Sequence, residues 1–481
     1  MQPFAFNRHK HSVAAMKKKH FPIGAVCGCT LVALAACSVG PAYKRPDIPL
    51  PQQWRDAPDN DEARVWPNPD WWHGFGSERL DELIAEAQRS NDDLAAAIAR
   101  VQEADAQARI AGAALLPSLD LGADATRQLA QVGGGAGKAT FNTFSPALTA
   151  SYELDFWGKN RATRAAAQAT AIASHFDKET VALTVISSVA TTYFQALEFR
   201  DRLEVARQNL ANGQNILRGL QLEQTAGIAT GLDVAQQETT VALLKAAIPP
   251  LQQQFRQTVN ALAVLVGKTP ESIDVDNGTL NALTSPQVIE GLPSRLLTRR
   301  PDVAASEQQL ISANADITVA RAALFPSIQL TANGGYESSA LASLISPANR
   351  IWALSAGLTQ PIFHGGALRG QVVFSNARYS ELLSSYHKTV ISAFSNVENA
   401  LIANQQTKEE QARQQEAVDR ARRAFRFAQT QMSAGTVNIL TVLNTENALF
   451  SAQDELVQVQ FLYLQSLVDL FTALGGGWQQ G

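Results

Sequence analysis

Three stretches of this chain hold residues whose types and spacing could do chemistry. Gly133-Gly134-Gly135-Ala136-Gly137-Lys138 has the glycines and the lysine of a phosphate cradle. The match fails in detail. Val132 stands where the first glycine belongs, and Ala139 replaces the hydroxyl residue after the lysine. The run also lies between two strand-like stretches instead of opening a helix. A flexible hairpin loop is the better reading. The second stretch, Leu34-Ala35-Ala36-Cys37, puts small residues before a cysteine. It closes an apolar run that follows Lys17-Lys18-Lys19, and it looks like a bacterial lipobox. Residues 1–36 then form a lipoprotein signal peptide, and Cys37 is the site of lipidation and the mature N-terminus. Met16 directly precedes the lysines and is a second candidate start. The third stretch is Asp233, a carboxylate just past a glycine turn. Elsewhere the chemistry is sparse. His73, His175, His364 and His387 have no metal-ligand spacing, and neither HExxH nor Gly-x-Ser-x-Gly occurs. No enzyme, metal site or cofactor is expected.

Charge narrows the partners. Of 40 basic residues, Arg8, Lys10, Lys17, Lys18 and Lys19 fall in residues 1–36, which contain no acid. Processing leaves 35 basic against 44 acidic residues, a net charge of −9. Nucleic acid is not an expected partner of so acidic a chain. Cys27 and Cys29 leave with the signal, so Cys37 has no cysteine to pair with. Beyond the signal, no apolar run looks long enough for a transmembrane helix, whereas a β-barrel span stays open because its signal is alternation.

The elements that position these residues come in duplicate. Ala113-Ala114-Leu115-Leu116-Pro117-Ser118-Leu119 returns as Ala322-Ala323-Leu324-Phe325-Pro326-Ser327-Ile328. Thr225-Ala226-Gly227-Ile228-Ala229-Thr230-Gly231 is echoed by Ser433-Ala434-Gly435-Thr436-Val437-Asn438-Ile439. The chain is a tandem duplication of a unit of roughly two hundred residues, longer than a solenoid repeat. After each Pro-Ser the residues alternate. Leu119, Leu121, Ala123 and Ala125 oppose Ser118, Asp120, Gly122 and Asp124, and Ile328, Leu330 and Ala332 oppose Ser327, Gln329 and Thr331. Such period-two stretches predict strands at about 117–128, 144–156, 326–338 and 350–362. An apolar face opposite a polar one suits lipid outside and water inside, or a sheet with one buried face.

Between the hairpins the period becomes three and four. Val185, Val189, Ala196, Phe199, Leu203 and Leu220 belong to one seam, and Val442, Thr445, Leu449, Leu456, Val459 and Leu470 to another. These predict coiled-coil packing: the first seam belongs to a long helix at about 158–225, matched in the second unit by one at about 368–433, each roughly 100 Å long, and the second seam belongs to the helix that returns after it. Gly227 and Gly435 fit left-handed caps where the chain turns back. Pro249-Pro250 is expected to break the first returning helix. Four strands cannot close a barrel, and open edges in lipid are costly. Two copies would supply eight strands and three copies twelve. The small, polar inward residues favour the wider lumen.

Taken together, these residues resemble the TolC-like outer-membrane efflux proteins, in particular the NodT-type lipoprotein branch. The resemblance rests on Tyr43-Lys44-Arg45-Pro46, Trp71-Trp72, Ser151-Tyr152-Glu153-Leu154-Asp155-Phe156-Trp157-Gly158, Arg299-Arg300-Pro301-Asp302-Val303, Gln360-Pro361-Ile362-Phe363 and Leu440-Thr441-Val442-Leu443. It implies a mainly α fold with a β-barrel part. A trimeric 12-stranded outer-membrane barrel would continue into a long periplasmic α-helical barrel. The implied domains are a first efflux repeat at 37–266, a connecting equatorial segment at 267–300 and a second repeat at 301–481. The implied function is the outer-membrane channel of a tripartite efflux system, exporting small molecules such as drugs or toxic compounds. Its implied partners are two further copies, a periplasmic adaptor, an inner-membrane pump of the resistance-nodulation-division type and outer-membrane lipid. The periplasmic gate would involve Asp233, Thr441 and Asn444. Family members best known for this gate carry acids at the positions of Thr441 and Asn444, so a charged ring from the second repeat is not expected. Adaptor docking would fall on Gly227, Thr230, Gly435, Thr436 and Asn438. A pore-free coiled-coil lipoprotein and a lipid-anchored envelope enzyme are the other classes. The alternating hairpins speak against the first and the missing catalytic cluster against the second.

Overall fold

A computed structural model describes residues 39–49, 54–55, 68–131, 137–275, 278–287 and 293–478. Cys37, the signal segment and most of the Gly133–Lys138 run lie outside the described residues. The chain forms two compact units, and each draws on both sequence repeats.

In the first unit, residues 117–159 and 321–364 build a four-stranded antiparallel sheet. Its strands are β1 (Ser118–Gln131), β2 (Lys138–Glu153), β3 (Ser327–Tyr336) and β4 (Arg350–Thr359), in that spatial order. The register aligns the two chemistries across all four strands. Leu119, Ala150, Ala332 and Leu354 stand in one row. Asp120, Thr149, Asn333 and Ala353 stand in the next. Neighbouring rows point to opposite faces, since side chains alternate along a strand. Where all four strands pair, one face is therefore apolar and the other mainly polar, while further along the first hairpin Arg127 and Asn142 share a row on the apolar side. The first hairpin is longer than alternation suggests. β1 reaches Gln131 and β2 begins at Lys138, its ladder partner. Hydrogen bonds to the facing strand carry the pairing past the point where the alternating pattern fades. Lys138 thus opens a strand, which removes any phosphate-loop geometry. At the base of the sheet, the Trp157 indole stacks on Phe325 and donates to the Pro326 carbonyl at 2.8 Å.

The second unit is helical. It contains α1 (Glu78–Ser90), α2 (Asp92–Ala113), α3 (Lys159–Thr225), α4 (Gly231–Leu265), α5 (Pro301–Ala322), α6 (Ala367–Ser433) and α7 (Ile439–Ala473). The duplication is visible in the lengths. The outgoing helices α3 and α6 are 67 residues each, and the returning helices α4 and α7 are 35 each. Ser77 and Asn91 cap α1 and α2 by accepting from the amides of Leu80 and Leu94. One core gathers Trp71, Phe75, Tyr193, Phe194 and Phe471, with Trp71 stacked on Phe471. A second joins Leu310, Tyr386, Val390 and Leu470. A third lies towards the helix turns and draws on Leu220, Val234, Val418, Phe425, Val442 and Leu449.

Two expectations need correction. Pro249 and Pro250 do not break α4, which runs unbroken through them. Both prolines and the residues one turn before them, Lys245 and Ala246, are exposed, so water can satisfy the carbonyls that lose their donors. Leu251, with Ile248 and Phe255, holds this stretch against Phe199 and Leu203 of α3. Windows apolar enough to span a membrane do occur. α3 and α7 each contain one, with mean hydropathy 1.3 and 1.2. The α7 window is 61 % buried within the protein, so its apolar residues serve chiefly as helix-packing core.

Candidate functional site: the turns between the long helices

The turns after α3 and α6 are built alike. Gly227 and Gly435 take left-handed backbone, at φ of 78° and 72°, which favours glycine over any other residue. Ile228 N–H then donates to the Glu223 carbonyl and Thr436 N–H to the Gln431 carbonyl, closing both helix ends. The Thr436 hydroxyl donates to the same Gln431 oxygen. Each returning helix starts on a side-chain cap. Thr230 Oγ1 accepts from the Asp233 amide, while the Thr230 amide and hydroxyl donate to Asp233 Oδ2 at 2.8 and 2.7 Å. This is a capping box. The second repeat keeps half of it: Asn438 Oδ1 accepts from the amide and hydroxyl of Thr441, both at 3.2 Å. Thr441 cannot return a carboxylate.

Asp233 therefore has a structural task that the sequence reading did not give it. Its carboxyl lies below the ordinary carboxylate range because the Thr230 hydroxyl and amide donate to it. Thr230 with Asp233, and Asn438 with Thr441, are brought together as caps. Asn444 is exposed on α7, and the turn residues Gly227, Gly435 and Thr436 are exposed as well. So are the apolar side chains of Ile228, Leu232 and Leu440.

Several polar groups escaped the sequence reading. Glu446 on α7 and Gln237 on α4 are fully buried close behind these turns. The seam pattern placed Thr445 inward, but α7 packs on more than one side, which takes in the next position too. Arg202 on α3 binds both carboxylate oxygens of Asp454 at 2.8 and 3.1 Å and Glu198 at 3.1 Å. Burial pushes the Glu198 carboxyl up, against the pull of Arg202. Arg45 donates through two nitrogens to Glu307 on α5, and the Tyr43 hydroxyl donates to the same carboxylate. The Tyr43-Lys44-Arg45-Pro46 motif is thus a clamp on α5. Its spacing was visible in the sequence, but its partner was not. Among the described residues, no group of three or more His, Cys, Asp or Glu could hold a metal.

A two-faced sheet whose outer strands are free on one side, together with duplicated helices far longer than a globular core requires, defines a tube-forming envelope protein. The comparisons agree with that class. The outer membrane efflux protein family matches residues 83–268 and 292–476, and the chain belongs to it. The pyoverdine export outer membrane protein OpmQ of Pseudomonas aeruginosa is 40 % identical over 463 residues, covering 94 % of this chain and 96 % of OpmQ. The cation efflux system protein CusC of Escherichia coli O6:H1 is 31 % identical, with 94 % and 98 % covered. Among solved structures, the outer-membrane channel OprN superposes with a TM-score of 0.88 at 26 % identity, over 92 % of this chain and all of OprN. The protein is an outer-membrane efflux channel subunit with a large periplasmic part.

Proposed function

We propose that three copies of this chain form one export duct, with a 12-stranded barrel in the outer membrane and a helical barrel in the periplasm. The observation that carries this reading is the sheet. β1 and β4 each have a neighbour on one side only, and the face they share is apolar across its full width. An open edge in lipid leaves backbone groups unpaired at several kcal/mol each. Pairing β4 of one copy with β1 of the next removes every edge. The polar rows, including Asp120, Thr149, Asn333, Ser151, Thr331 and Ser355, then line water.

The finer assignments belong to the same proposal. Cys37 carries lipid at the outer membrane. The repeats divide at 37–266 and 301–481, with 267–300 as connector. The turns at Gly227, Thr230, Gly435, Thr436 and Asn438 dock a periplasmic adaptor, and the exposed Ile228 and Leu232 give that surface an apolar component. An inner-membrane pump of the resistance-nodulation-division type feeds the duct. Asp233, Thr441 and Asn444 lie at the periplasmic constriction, with Asp233 held in its cap. The relatives' names cover pyoverdine export and cation efflux. One architecture under such different cargoes fits a duct for small molecules whose selectivity lies in the pump. Native mass measurement in detergent tests the assembly. A trimer is the expected species, and a monomer or dimer as the sole species would overturn it. Planar-bilayer recording tests the water-filled axis, because a pore-free coiled-coil lipoprotein conducts nothing.

A further inference from the structure

Just behind the two helix turns, the third core contains a pair of buried polar side chains that no part of the duct reading uses. Glu446 and Gln237 are both 0 % exposed. Around Glu446 on its own helix, Val442, Leu443, Leu449 and Phe450 are all buried. The two groups face each other across α7 and α4. Their hydrogen-bond accounting does not close. Gln237 Nε2 donates to the Gly213 carbonyl on α3 at 2.9 Å. A Cβ at Gly213 would crowd Leu244, at 3.1 Å. Both Glu446 carboxylate oxygens and Gln237 Oε1 are left without a partner. Three acceptors thus lie in an apolar core where the second N–H of Gln237 is the donor at hand. A buried unpaired acceptor costs ~1–3 kcal/mol, and a buried unpaired charge more.

The smallest addition that improves this account is one proton, which turns one unpaired acceptor into a donor for another. A protonated Glu446 is neutral, and its O–H can donate to Gln237 Oε1. We propose that Glu446 and Gln237 form a proton-binding site that locks the returning helices α4 and α7 together near the periplasmic turns. With the proton bound, the α3–α4–α6–α7 core stays closed. Without it, a bare carboxylate in that core favours any movement that lets water in. Both turns lie within about two helical turns of the site, so loosening here reaches the candidate constriction first. Burial pushes the Glu446 carboxyl up to about 7, and Gln237 pulls weakly the other way. The charged groups on the surrounding helices reach solvent instead. At this level they include Arg218 and Glu223 on α3, Asp233 and Glu238 on α4, and Asp419, Arg420, Arg422, Arg423 and Arg426 on α6.

The sign follows from the neutral form being favoured in the fold. Lock strength is full while Glu446 keeps its proton and is lost as pH rises from the ordinary glutamate range through about 7. The link to the constriction rests on the duct reading; the proton site itself does not. The test uses the full-length protein in detergent and in planar bilayers. From about pH 5 to about pH 8.5, a span that brackets the ordinary and raised values, wild-type thermal stability should fall. Infrared difference spectra should lose a protonated-carboxyl band over the same step. Conductance should rise with it. In Glu446→Gln, an isosteric neutral mimic, the infrared band should be absent, and stability and conductance should stay flat at the low-pH values. A step that persists in Glu446→Gln would overturn the proposal. So would a wild-type channel that conducts without any step, or a step that moves with calcium or potassium concentration at fixed pH. No conductance at any pH counts against the duct reading, while the infrared titration still judges the proton site.

Discussion

At the scale of single residues, the two acids nearest the turns should respond to pH in opposite senses. Asp233 is held below its usual range by Thr230, so the stability it adds is present above the ordinary aspartate value and fades as acid is added. Glu446 is shifted upward by burial, so its stability is greatest in acid and fades towards alkaline pH. Thr230→Ala should cost about 1 kcal/mol, the usual loss for an N-cap, and should weaken the acid-side sensitivity of Asp233. Thermal melts across pH would read both effects. Glu307→Ala tests the clamp. Glu307 is 10 % exposed and receives Arg45 and Tyr43, while Arg45 is half exposed. Charge-assisted bonds are worth ~1.5–3 kcal/mol when buried, and screening at Arg45 lowers that to about 1–2 kcal/mol. The melt should fall accordingly. Limited proteolysis should also release the segment around Tyr43, an outcome a purely local loss on α5 would not produce.

At the scale of elements, the sheet gives the sharpest contrast. Leu121 shares its row with Leu148, and Leu330 with Tyr152 and Ala356. Thr149 shares its row with Asp120 and Asn333, and Thr331 with Ser151 and Ser355. Arginine at Leu121 or Leu330 should cost about 2–4 kcal/mol if near the bilayer midplane, and much less at Thr149 or Thr331. Folding titrations into lipid vesicles would measure the four variants. Equal costs would mean that both faces meet the same surroundings, and a larger cost at Thr149 and Thr331 would mean that the faces are reversed. The helices teach a different point. A mid-helix proline usually costs ~3 kcal/mol, yet α4 contains two and continues. Exposed carbonyls and the grip of Ile248, Leu251 and Phe255 offset that cost.

At the scale of the whole molecule, the departure at the second-repeat turn has a functional consequence. Thr441 and Asn444 are neutral, and the first-repeat carboxylate is engaged by its own cap. In the proposed trimer, a constriction built from these turns would hold at most one acidic ring, from Asp233. Coulomb attraction grows with the charge assembled nearby, so multivalent cations should block the pore weakly from the periplasmic side. The double change Thr441→Asp with Asn444→Asp should tighten that block. Single-channel recordings decide the matter. Tight block of the wild-type pore that survives Asp233→Ala would place the constriction on other residues.

Class and architecture were legible in the sequence because they depend on period. Alternation marks strands, a three-four spacing marks packed helices, and a repeated turn marks a duplicated hairpin; none of these needs a partner to be identified. The duplicated turns at Gly227 and Gly435 were readable for the same reason, since only glycine adopts their backbone easily. Tertiary structure decided the pairings. Tyr43 and Arg45 meet Glu307, Arg202 meets Asp454, and Gln237 meets Glu446 across stretches of chain that no local pattern connects. It also decided burial, because one residue's step around α7 separates a seam threonine from a sealed glutamate. Whether a carboxylate caps a helix, clamps a terminus or holds a proton depends on what lies opposite it, and only the folded chain puts anything there.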